Sequence, residues 1–71
     1  MTDSEKYTLF LIEQYRQKNN AKARAVYNAF KDNGIFDYIE ATFEAIHTMD
    51  TATVVSEIEE LIHRKKQNVT H

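Results

Sequence analysis

Cysteine and proline are both missing from these 71 residues, and glycine occurs once, as Gly34. Without cysteine there are no disulfides and no thiolate metal sites. With no proline and one glycine, almost nothing interrupts a helix, so an all-α fold is the default. Strong charge is missing too. A net charge of −2 exerts no general pull toward nucleic acid or a membrane surface. Long apolar runs are also absent. The longest, LFLI at 9–12, is far short of the ~20 residues that span a bilayer. The polar, acidic opening MTDSEKY does not resemble the basic first part of a signal peptide. Together these features point to a cytoplasmic protein that neither crosses a membrane nor binds nucleic acid directly.

A chain of 71 residues makes one domain. At this size folding buries only about 60% of the surface of the unfolded chain, and the core supplies roughly 3–5 kcal/mol. Such a chain depends on close helix packing or on association with another chain. Hydrophobic residues make up 42% of the total, enough to exclude a disordered segment.

Apolar spacing divides the chain into four helices around a core of about residues 4–65, followed by a frayed tail at 66–71. The first helix starts near Asp3 or Ser4, both good N-caps, and runs to about Lys18. Tyr7, Phe10, Leu11 and Tyr15 form its core stripe. Leu9 and Ile12 lie beside or behind that stripe, so the helix is apolar nearly all round its middle. It is either central in the bundle or covered by a second chain. Asn19-Asn20 ends it and can cap a second helix, about Ala21 to Asp32, with Ala23, Val26, Tyr27 and Phe30 as its stripe. Asp32-Asn33-Gly34 is a stop, with Gly34 free to turn left-handed. A third helix from Ile35 or Asp37 to His47 carries Ile35, Ile39, Phe43 and Ile46. After TMD, a fourth runs from Asp50 or Thr51 to about Lys65 with Val54, Val55, Ile58, Leu61 and Ile62. TATVV at 51–55 has strand composition, but it is too short and isolated to pair.

Glu44 and His47, and again Glu60 and His63, stand three apart. Glu-x-x-His is half of a di-iron site when all its ligands point into a bundle. At about 100° per residue, Glu44 lies about 140° from the stripe of its helix and Glu60 about 160° from that of its own. Both carboxylates and His63 point to solvent, so no metal and no cofactor are expected. His47 sits at the edge of its stripe in the last helical turn. There a donor favours the free carbonyls, with a ring nitrogen bonding the TMD turn; the alternative is a functional surface role. Ser4 reads as a cap and Ser56, on the polar side of its helix, has no neighbouring base, so a hydrolase triad is not expected. No glycine-rich loop cradles phosphate. The chain is read as non-catalytic.

Charge order is the most informative pattern. Five bases (Arg16, Lys18, Lys22, Arg24, Lys31) occur with no acid between Arg16 and Lys31. Eight acids (Asp32, Asp37, Glu40, Glu44, Asp50, Glu57, Glu59, Glu60) follow with no Lys or Arg between Asp32 and Glu60. One reading is complementary packing, with the basic second helix beside the acidic third and fourth. The other is a surface for a charged partner. A helix-turn-helix whose recognition helix carried Asp37, Glu40 and Glu44 would be repelled by phosphates.

FLIEQY, VYNAFKDNGIFDYI and IHT, in that order, resemble a family of small bacterial and phage proteins catalogued as domain of unknown function 3791. The matching positions are Glu13 and Tyr15; Val26, Tyr27 and Phe30; Gly34, Ile35, Asp37 and Tyr38; and Ile46, His47 and Thr48, where the family has Leu at the place of Ile46. The likeness covers roughly residues 7 to 62. It implies a compact helical domain and makes His47-Thr48 a family feature, but it assigns no activity. Family members often stand beside a gene resembling an ADP-ribosyltransferase, a pairing that looks like toxin and antitoxin.

The expectation is an all-α bundle of four short helices that acts by binding another protein, as an antitoxin-like or accessory partner of a larger enzyme. Its candidate surface is Leu9 and Ile12 with Asp37, Glu40, Glu44 and His47. The alternatives are a phage-type inhibitor whose acidic face mimics nucleic acid, and a structural homodimer held through the first helix.

Overall fold

The computed structural model describes the backbone of residues 2–68 and the side chains of residues 2–64. It contains four helices among the described residues: α1 (Asp3–Asn19), α2 (Ala23–Asp32), α3 (Ile35–Ile46) and α4 (Thr51–Asn68). They form one small all-α domain. The radius of gyration is 11.8 Å, close to the roughly 11 Å of a packed chain this long.

Each junction has a local cause. α1 begins one residue earlier than Asp3 or Ser4 would allow as caps, because Thr2 is the cap. Its hydroxyl accepts from the Glu5 N–H at 3.2 Å, and its own N–H donates to Glu5 Oε1 at 2.9 Å. This reciprocal pair satisfies two donors that the helix leaves free. At the other end Asn20 takes a left-handed conformation (φ 50°), and the Ala21 N–H donates back to the Arg16 carbonyl at 3.0 Å. That wrap uses Asn20 and Ala21, so α2 starts at Ala23 rather than Ala21. Its cap is Lys22, with no side-chain hydrogen bond; Asn19-Asn20 caps nothing but α1. Gly34 adopts φ 68°, the left-handed state in which a Cβ is costly, and it turns α2 directly into α3. His47 caps α3, and Met49 N–H closes the next turn on the Ile46 carbonyl at 3.0 Å. TATVV is helical, and α4 continues to Asn68, past the expected end at Lys65. The part of the expected frayed tail at 69–71 lies outside the described residues.

α1 packs against each of the other three helices, which explains its wide apolar girth. The core is Leu11, Ile12, Val26, Phe30, Ile35, Ile39, Ile46, Val54, Val55, Ile58 and Ile62. Among the described residues no polar or charged side chain is buried, so apolar burial and packing dominate the stability of this core. Phe30, fully buried, sits at its centre. It meets Tyr15 edge-on with ring centroids 5.4 Å apart and Phe36 at 6.0 Å.

Two expectations are corrected here. Ile12 is a core residue, 8% exposed, whereas Phe10 from the expected stripe is 44% exposed. The charge segregation does not arise from α2 pairing with α3 and α4. Among the described residues the ion pair between helices joins α1 to α4, Lys18 Nζ to Glu59 Oε1 at 2.6 Å. Among the described residues no ion pair links Lys22, Arg24 or Lys31 to a carboxylate.

Candidate protein interface

The first half of α1 and the α2–α3 hairpin enclose an open groove of about 340 Å³. Leu9 and Ile12 from α1, Tyr27 from α2 and Phe36 from α3 make its apolar lining, and Ser4, Glu5, Thr8 and Glu40 its polar rim. Leu9 is 54% and Tyr27 49% exposed. The Tyr27 and Phe36 rings lie 5.1 Å apart across the Gly34 turn, within the range of favourable aromatic pairs. Phe36 in turn touches the buried Phe30, so the lining is anchored on the core. At the rim the capping hydrogen bonds from Thr2 lower the pKa of the Glu5 carboxyl, keeping that edge anionic.

Three of the six candidate surface residues meet in this groove: Leu9, Ile12 and Glu40. Ile12 contributes only the edge of a buried side chain. Asp37 and Glu44 are exposed on α3 beside Glu40. His47 lies two turns beyond Glu40, about 10 Å along the helix, and belongs to a different constellation. Its Nδ1–H donates to the Phe43 carbonyl at 2.7 Å, so the bond goes to α3 itself and not to the TMD turn. Since a carbonyl only accepts, this fixes the proton on Nδ1. The imidazole stacks on Phe43 at 4.7 Å. Phe43 meets Tyr7 at 5.7 Å, Tyr7 meets Phe10 at 6.3 Å, and the Tyr7 hydroxyl donates to the Ile46 carbonyl at 3.2 Å. His47 remains exposed as the end of an aromatic row that ties α1 to the end of α3.

Tyr27 and Phe36 were not among the candidates. Tyr27 fell on the expected core stripe of its helix, and Phe36 lies about 60° from Ile39, a boundary position. The available signal was their placement two and seven residues to either side of the Gly34 turn and its flank: aromatics on both arms of a tight hairpin face one another.

A second groove, of about 470 Å³, separates α1 from α4 and is lined by Tyr15, Asn19, Ser56, Glu59, Glu60, Ile62 and His63. Lys18 spans it, reaching Glu59 and, at 3.3 Å, the Ser56 hydroxyl. Glu44, Glu60 and His63 are exposed, as the helical step places them. Among the described residues no group of three or more His, Cys, Asp or Glu side chains could hold a metal ion. Among the same residues no helix is long and apolar enough to cross a membrane.

Fold and groove together define a small all-α protein with an open apolar groove between α1, α2 and α3. The chain belongs to a family described as protein of unknown function (DUF3791), whose model matches residues 6–65, nearly the span over which the motifs resemble it. No match was found among curated proteins or among solved structures.

Proposed function

We propose that this protein is a non-catalytic binding module, an antitoxin-like or accessory partner of a larger enzyme, which it contacts through the α1–α2–α3 groove. The observation that carries the reading is the exposure of Leu9 and Tyr27 beside Glu40 in one groove. Aromatic and aliphatic anchors within a polar rim are the usual anatomy of a protein interface. The resemblance to genes paired with an ADP-ribosyltransferase-like neighbour supports an enzyme as the partner. Docking on protein is preferred to mimicry of a nucleic acid because two of the acids are engaged internally. Glu57 accepts from the Tyr38 hydroxyl at 3.4 Å, and Glu59 pairs with Lys18.

The test is a titration with the purified enzyme that co-elutes stoichiometrically from the native lysate. Wild-type protein saturates it. The double reversal Glu40→Lys/Glu44→Lys weakens binding at least tenfold while circular dichroism shows the helices intact. Equal affinity of the double variant and the wild type would reject this face as the binding surface.

A further inference from the structure

The groove between α1, α2 and α3 changes character along its length. Tyr7, early in α1, meets the Phe43 ring and the Ile46 carbonyl late in α3. Further along α1, Tyr15 meets Phe30, which in turn meets Phe36 at the start of α3. The two helices therefore run in opposite directions. Glu5 precedes Leu9 by four residues on α1, and Glu40 follows Phe36 by four on α3. Residues four apart lie on the same helix face, one turn from each other. On each wall a carboxylate thus stands one turn beyond an apolar side chain, and on both walls it is displaced toward the same end. That end is acidic. The other end, beside the Gly34 turn, carries the ring pair of Tyr27 and Phe36.

The neutral groups of the rim are already engaged. Thr8 Oγ1 donates to the Ser4 carbonyl at 2.7 Å, and the Ser4 and Thr2 hydroxyls bond at 3.2 Å. The carboxylates have no countercharge. Among the described residues no Lys or Arg pairs with Glu5 or Glu40, and none lines the groove. The hydrogen bonds from Thr2 favour the anionic form of Glu5. An occupant with only apolar side chains would strip water from two carboxylates without pairing them, which is costly. An acidic occupant would meet charge of its own sign. Lysine and arginine answer both demands, with an aliphatic stem that covers apolar surface and a cation at its tip.

We propose that the part of the enzyme held in this groove is an amphipathic helix on which a lysine or arginine stands one turn from an apolar anchor. The anchor beds against Leu9, Tyr27 and Phe36, and the cation meets Glu5 and Glu40. The one-turn offset between apolar side chain and carboxylate on both walls is the repeat that a helix presents at i and i+4. The proposal rests on the reading of this groove as the contact with an enzyme and names the chemistry of the segment that enters it.

The experiment titrates the full chain with two fluorescein-labelled, alanine-rich helical peptides, read by fluorescence anisotropy. They are identical except that one carries Leu and Arg at i and i+4 and the other Leu and Glu. Wild type binds the Arg peptide at least about tenfold more tightly than the Glu peptide, and added salt narrows the difference. Glu5→Gln/Glu40→Gln removes the preference while keeping the α1 cap, since Gln also closes a capping box. Glu5→Gln/Glu40→Lys reverses it, and Leu9→Lys weakens both peptides; circular dichroism checks that each variant is helical. Equal binding of the two peptides by wild type, binding of neither, or an unchanged preference in folded Glu5→Gln/Glu40→Lys would overturn the proposal. Sedimentation as a dimer that Leu9→Lys disperses would put a second copy in the groove and overturn it too. A protein that binds the co-eluting enzyme but treats the two peptides alike would reject the basic helix and leave the enzyme-binding reading standing. One that shows the Arg preference but retains no enzyme would support the basic helix and reject the enzyme.

Discussion

The two grooves beside α1 differ in who completes them. The groove against α4 mixes polar and apolar side chains and is bridged within the chain: Lys18 reaches from α1 to Glu59 and Ser56, and Tyr15 lines it while resting on Phe30. The groove against α2 and α3 is lined by Leu9, Ile12, Tyr27 and Phe36, and among the described residues no hydrogen bond or ion pair spans it. In the first groove a cation of the chain itself already meets the polar groups of the opposite helix. The apolar one leaves the Tyr27 ring and Leu9 exposed, and their burial by a partner releases about 25 cal/mol per Å². The same helix thus presents a finished seam on one side and an unfinished one on the other.

Phe30 is the point at which both grooves fail together, since its ring supports Tyr15 of one and Phe36 of the other. Phe30→Ala should cost about 3–5 kcal/mol, comparable to the whole stability of a core this small. Thermal circular dichroism should show no cooperative transition near room temperature. Ile12 and Leu9 separate folding from binding. Ile12→Ala should lose about 2–5 kcal/mol in urea denaturation. Leu9→Lys, at an exposed position, should change stability by less than about 0.5 kcal/mol and yet abolish partner binding in the titration.

The hairpin that brings Tyr27 to Phe36 depends on Gly34 at φ 68°. Gly34→Ala should destabilise by about 1–2 kcal/mol, read from the urea midpoint, and loosen the apolar groove more than the one bridged by Lys18. Lys18→Met removes the bridge between α1 and α4. A surface ion pair contributes about 0–1 kcal/mol, so the melting temperature should fall slightly, with partner binding unchanged.

The smallest effect at neutral pH is one that appears only in alkali. Burial raises the pKa of Tyr7, Tyr15 and Tyr38, with secondary contributions from Tyr38, Glu59 and Glu57 respectively. The folded state holds these phenolic protons more tightly than the unfolded chain does. Their contribution to stability is complete below the unfolded pKa of about 10 and is lost as pH rises through the folded values. Absorbance of phenolate followed with circular dichroism should show these tyrosines ionising above pH 10 and the helices melting with them. Ionisation in their normal range, with the helices unchanged, would contradict the packing of Tyr15 against Phe30.

Much of the fold could be read in advance because it rests on local physics. The helical default without proline, the stop at Asp32-Asn33-Gly34, the break at Asn19-Asn20 and the stripes of α3 and α4 each depend on neighbours a few residues away. Even the missed cap at Thr2 was written there, as Thr-x-x-Glu at 2–5. The interface was only half visible. Leu9 and Glu40 could be proposed from their exposed phases, but Tyr27 and Phe36 become a surface only when α2 and α3 fold onto one another.

By itself, then, the order of residues determined four helices, their breaks and the segregation of charge, since backbone conformation and helical period act over one or two turns. Tertiary structure alone decided which flank of α1 became core. Phe10 and Ile12 sit about 100° to either side of Leu11, equally placed for burial. α1 packs against α2 and α3 with Ile12 inward, so Ile12 is sealed, Phe10 stays half in water, and an apolar groove edged by Glu5 and Glu40 remains open.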